Sequence, residues 1–163
     1  LIIQSYGVGH INPTLSWDKE EETIFTNVVG VTKLYDLSFN LFRNQGFGHL
    51  VGITSIASIR GNRVAPAYFS SKAYQKAYLE SLYMKTKTIK SNKVFITDIR
   101  PGFVDTAMAL GEGIFWMVSL EKAAKQIYTA IKKKKRVAYI SKRWRLIALF
   151  LKIAPASLLK KMI

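Results

Sequence analysis

The chain has 163 residues, enough for one domain with a substantial core, and its 49% hydrophobic and 21% charged content excludes a disordered polymer. It has no cysteine and only two histidines, so disulfides, thiolate catalysis and a catalytic metal site are not expected. The formal charge of +15 is unevenly spread: residues 1–120 carry twelve Lys and Arg against nine acids, and residues 121–163 carry thirteen against one.

The apolar run Leu1–Ser5 predicts a strand, and Gly7 and Gly9 behind it permit close backbone approach to a ligand. His10 follows as a loop residue. A long helix is expected over about Trp17–Asn44, with Gly46 beyond its end. Gly46 and Gly48 open the next strand, Leu50–Thr54, which leaves Ser55 at its C-terminal end. Pro66 suits the first turn of a helix running to Lys87. Strand Val94–Ile99, a loop, helix Ser119–Lys132, strand Arg136–Ile140 and a helical stretch from Trp144 complete the chain. Strands alternating with helices mean a parallel α/β sheet with right-handed crossovers. Such sheets bind ligands at the C-terminal ends of their strands, where Ser55 falls.

Tyr68 and Lys72 lie four residues apart on the predicted helix Pro66–Lys87, hence on one face. A tyrosine ionises near pH ~10, and an adjacent ammonium favours its phenolate, so Tyr68 can exchange a proton with a substrate oxygen. Ser55, thirteen residues upstream, can hold that oxygen. The chain contains two other Tyr-x-x-x-Lys pairs, Tyr83/Lys87 and Tyr128/Lys132. Ser70 stands thirteen residues before Tyr83, but on the same helix, about 20 Å away. Phe115, with no hydroxyl, stands thirteen before Tyr128. Only Ser55 and Tyr68 come from different elements.

Further matches extend the pattern: Asn27-Val-Val-Gly30 precedes the serine strand, and Pro101-Gly-Phe-Val-Asp-Thr106 follows the next one. With these, residues 1 to about 141 resemble the short-chain dehydrogenase/reductase family. The resemblance implies a Rossmann-like doubly wound parallel sheet, present here in part. It implies a reaction interconverting a carbonyl and a secondary alcohol with NADP or NAD. Tyr68 would be the general acid/base, Lys72 its activator and a ligand of the nicotinamide ribose, and Ser55 the substrate-oxygen binder. The Asn27 side chain would hold a water linking Lys72 to solvent. Pro101, Gly102, Val104 and Thr106 would pass the nicotinamide, and Gly7 would contact the cofactor. The family's Gly-rich pyrophosphate turn is not found, so the chain reads as a fragment that would be inactive alone. At the end of the first strand the family shows Asn-Asn-Ala-Gly; here stand Gln4, Ser5, Tyr6 and Gly7.

Between glycines and the next helix, Ile114, Phe115, Trp116 and Met117 suit an apolar lid over a bulky substrate. The resemblance further implies a homo-oligomer through the two long helices; the lack of cysteine fits a reducing compartment, hence a cytoplasmic protein. Residues 142–163 form a basic amphipathic tail, in which Trp144 and Leu146-Ile-Ala-Leu-Phe-Leu lie among cations. This composition suits peripheral contact with a membrane, and equally a helix docked on the sheet. No nucleic-acid reading module appears. The alternative function is a catalytically silent dinucleotide-binding or membrane-surface module.

Overall fold

The computed structural model describes residues 1–90, 93–106, 116–155 and 157. Four strands pair in parallel in the order β1 (Ile2–Gln4), β2 (Phe47–Ile53), β3 (Lys93–Pro101), β4 (Val137–Ile140). Leu50 of β2 sits between Ile2 of β1 and Ile96 of β3, and Ile99 of β3 faces Ala138 of β4. The first crossover carries helices α1 (Trp17–Ile24) and α2 (Val31–Gln45), the second α3 (Pro66–Thr86) and the third α4 (Leu120–Lys132). Helix α5 (Trp144–Ile153) follows β4.

The period-two alternation of strand side chains sorts the core into two layers. On one face Leu50, Val94 and Ile96 pack against Val31, Tyr35, Phe39 and Phe42 of α2 and Leu79 and Leu82 of α3. On the other, Val51, Ile99, Ala138 and Ile140 pack against Ala123 and Ala130 of α4. Helices on both faces of a parallel sheet give the α/β, Rossmann-like layering expected from the sequence.

Local chemistry sets the element ends. Gly46, at φ 79°, takes the left-handed position that closes α2, and its N–H bonds Phe42 O at 3.0 Å. Pro66 occupies the first turn of α3. The Ser119 hydroxyl caps α4 by accepting from the Lys122 N–H.

Two details differ from the sequence expectation. The helix over Trp17–Asn44 is not uniform: Phe25–Gly30 forms a π-helical turn between α1 and α2. Tertiary hydrogen bonds from Asn27, inside that turn, hold the widened backbone. Ser55 lies two residues beyond the end of β2, in extended backbone, capping a 3-10 turn over Ile56–Ile59 by accepting from Ala57 N–H at 3.0 Å.

Candidate active site

The C-terminal ends of β1 and β2, the π turn and the start of α3 meet around Lys72. Its side chain is buried, with Nζ donating to Ile53 O of β2 at 3.2 Å and to Gln75 Oε1 at 3.2 Å. Tyr68, one turn earlier, is half-buried, and its ring centroid lies 5.9 Å from Lys72 Nζ. The Ser55 side chain stands near enough to the Tyr68 phenol to favour its ionised form, which sets the serine after the strand beside the helix tyrosine.

The segment after β1 covers this group. Val8 N–H donates to Asn27 Oδ1 at 2.9 Å, and Asn27 Nδ2 donates to Val8 O at 2.7 Å and to Ser71 Oγ at 3.0 Å. The glycines flanking Val8 touch the site. A Cβ on Gly7 would lie 3.1 Å from Asn27 Oδ1 and 3.4 Å from Lys72 Nζ; one on Gly9 would lie 2.6 Å from the Tyr68 ring. Gly9 therefore lets the backbone lie flat on that ring.

Asn27 itself is fully buried, and its side-chain amide is spent on Val8 and Ser71. Both amide hydrogens and one lone pair of Oδ1 are thus engaged. The Asn27 main-chain carbonyl accepts from Gln75 Nε2 at 2.7 Å.

Electrostatics also differ from the simple expectation of a lowered tyrosine. Burial pushes the Tyr68 phenol up, and the Ser55 side chain only partly offsets this. Burial lowers Lys72 to about 8, partly offset by the carboxylate of Asp98. Asp98 is buried on β3, where its Oδ1 accepts from Thr54 Oγ1 at 2.6 Å and its Oδ2 from Arg100 Nε at 2.7 Å. Arg100 continues to the Tyr139 hydroxyl at 3.1 Å. Near neutral pH the site thus holds a protonated phenol beside an ammonium close to its own titration.

Pro101 ends β3, and Gly102 N–H donates to Ile140 O at 2.7 Å. Val104 bridges Val118 in parallel, and the exposed Thr106 donates to Val104 O at 3.3 Å. Gly102 lies under an indole: a Cβ there would meet Trp144 at 2.0 Å. Trp116 packs edge-on against Trp144 at 6.2 Å, with the Arg143 guanidinium 5.0 Å above its ring. Ile114 and Phe115, the other lid residues, lie outside the described residues.

The structure therefore brings Gly7, Asn27, Ser55, Tyr68 and Lys72 into one cluster. It sets Pro101, the last residue of β3, and Gly102, Val104 and Thr106 after it at the same end of the sheet. Tyr83 and Lys87 form only a ring contact, with Nζ 4.9 Å from the centroid. His10 pairs with Glu22 on the surface and His49 with Thr97. Sequence reasoning missed Gln75, Asp98, Thr54, Ser71 and Trp144. The available signal was polar residues at helical spacing on an otherwise packed face, Ser71, Lys72 and Gln75.

Comparison with known proteins bears on the same residues. The family model described as short chain dehydrogenase matches residues 2–113. An uncharacterized oxidoreductase of Myxococcus xanthus is 32% identical over 110 residues, 66% of this chain and 42% of that protein. A sepiapterin reductase of Chlorobaculum tepidum is 32% identical over 109 residues, 66% of this chain and 43% of that protein. The chain thus spans less than half the length of these curated relatives. A short chain dehydrogenase from Burkholderia cenocepacia, crystallised with NADP, superposes with a TM-score of 0.83 at 16% identity, over 99% of this chain and 69% of that one. At that identity the likeness concerns the fold.

Proposed function

The chain belongs to the short-chain dehydrogenase family, and from that membership we propose that it carries the proton-transfer half of an NAD(P)-dependent oxidoreductase acting on a carbonyl or secondary alcohol. The observation that carries this reading is the Tyr68 ring 5.9 Å from the ammonium of the buried Lys72, with the Ser55 side chain beside the phenol. Ser55 holds the substrate oxygen, and the protonated Tyr68 phenol donates to it as negative charge develops there. Burial holds that phenol in the protonated form that donates during carbonyl reduction, and the phenolate that alcohol oxidation uses becomes more populated as pH rises.

The residues present fit a nicotinamide nucleotide. Gly7 brings its backbone close against Asn27 Oδ1 and Lys72 Nζ, where a Cβ would crowd both. Lys72 would bind ribose hydroxyls, and Pro101, Gly102, Val104 and Thr106 would line the nicotinamide. A bound nicotinamide supplies or accepts the hydride. Ser55, Tyr68 and Lys72 orient the substrate oxygen and move its proton.

The lid reading of Ile114, Phe115 and Trp116 implies a bulky apolar substrate. Pairing of chains through α2 and α3 is supported by the exposed Val29, Leu37, Leu41 and Tyr74 around those helices. Peripheral membrane contact through α5 is supported by an exposed apolar stripe, Leu146, Leu149, Phe150 and Ile153, flanked by Arg145 and Lys152.

The test is Tyr68→Phe in the protein that carries this chain. Loss of most turnover, with unchanged NAD(P)H binding by nicotinamide fluorescence, is the expected result. Retained turnover would remove Tyr68 as the acid/base.

A further inference from the structure

Gln75 lies three residues after Lys72 on α3 and is fully buried. Its amide joins two members of the candidate site. Oε1 accepts from Lys72 Nζ at 3.2 Å, and Nε2 donates to the Asn27 carbonyl at 2.7 Å. That orientation is forced, because an ammonium only donates and a carbonyl only accepts. The Asn27 side chain is already committed to Val8 and Ser71.

We propose that Gln75 is a positioning residue that replaces a relay water between Lys72 and Asn27, fixing the ammonium and closing that branch to protons. This rests on the Ser55/Tyr68/Lys72 reading. A water can accept a proton on one side and release one on the other. A carboxamide has no group that titrates near neutral pH, so it holds Lys72 without passing its proton on. The proton that Tyr68 gives to substrate is then replaced through the half-exposed phenol itself, not from behind Lys72.

The ionisable surroundings of Lys72 enter the test. They are Tyr68 on its own helix and Asp98 from β3, the latter bound by Arg100. The β1 loop presents the Gly7 backbone and the π turn presents Asn27. Gln75→Leu leaves all of these in place and removes one acceptor from the ammonium. It should lower kcat about tenfold with KM for the carbonyl little changed, and move the alkaline limb of kcat down by about one pH unit. Gln75→Ala opens a polar gap between an ammonium and a carbonyl, which water can fill. It should recover much of kcat and turn a linear dependence of rate on deuterium fraction into a curved one, as more than one proton moves.

A Gln75→Leu variant with wild-type kcat and pH limb, altered only in thermal midpoint, would make Gln75 a packing residue and overturn the proposal. A curved deuterium dependence in the wild-type protein would also overturn it, and that measurement needs no variant to fold. Tyr68→Phe, assayed beside them, separates the two levels. If it keeps turnover, the underlying reading fails; if it loses turnover while Gln75→Leu behaves as wild type, only the role of Gln75 fails.

Discussion

Lys72 is the residue at which stability and chemistry oppose each other. In the unfolded chain it titrates near 10.5; in the fold, burial lowers it to about 8, with Asp98 partly restoring the charge. Between those values the unfolded state binds more protons than the folded one, so stability rises with pH across about 8 to 10.5. Below pH 8 the fold carries the full burden of a buried ammonium, on the order of 3 kcal/mol. Lys72→Met should therefore raise the thermal midpoint at pH 7 and flatten the rise above pH 8, while turnover is lost. Asp98 keeps Thr54 and Arg100 as partners, so the substitution strands no carboxylate. Urea unfolding at pH 7 and 10 checks this; a variant less stable than wild type at pH 7 would mean that Ile53, Gln75 and Asp98 outweigh the burial. At this scale the sequence was legible where chemistry and element placement coincide, as in expecting Tyr68 and Lys72 on one face of a helix. It was not legible where a polar group is spent across the fold. Asn27 meets Ser71 and Gln75 across 44 and 48 residues of chain, and no local pattern announces either bond.

At the scale of elements, alternation of apolar strands and longer helical segments was enough to recover the succession of elements and the parallel sheet. The π turn at Phe25–Gly30 escaped, because helical periodicity does not register one widened turn held by distant partners. Docking of α5 on the sheet was one of the two expected readings, but the contact that makes it escaped for a related reason. Its first residue, Trp144, is buried against the Pro101-Gly102 loop, a pairing set by the sheet and not by neighbouring sequence. Gly102→Ala tests that contact. The added Cβ would stand 2.0 Å from the indole, so the loop and α5 must separate. Overpacking of this kind destabilises by about 1–3 kcal/mol. Trp17 and Trp116 are already exposed, so a red shift of tryptophan emission reports Trp144. Removing the indole as well, in Gly102→Ala/Trp144→Ala, should give less than the sum of the two single penalties. Unchanged stability and emission in Gly102→Ala would mean that the loop and helix are not packed as described.

At the scale of the whole molecule, exposed cations and an exposed apolar stripe meet on α5. Trp144, Ala148 and Ala154 turn α5 toward the protein, whereas Leu146, Leu149, Phe150 and Ile153 are 68%, 60%, 37% and 75% exposed. Their spacing of three, four and seven residues makes one stripe, with exposed Lys142, Arg143, Arg145 and Lys152 around it. Among the described residues no helix is long and apolar enough to cross a membrane. A ten-residue amphipathic helix of this kind suits the interface instead, where each cation near an anionic leaflet would contribute about 1 kcal/mol. Because Trp144 of the same helix rests on the loop after β3, a membrane at this face would lie beside the candidate active site. An apolar substrate could then enter from the lipid side. The protein should co-sediment with phosphatidylserine-rich vesicles and release at high salt, as screening of surface charge requires. Leu149→Glu/Ile153→Glu alters only exposed positions and should reduce binding at least tenfold with the thermal midpoint unchanged. Equal binding by this variant would assign the attraction to charge alone, and no binding by the parent protein would leave the stripe to a protein partner.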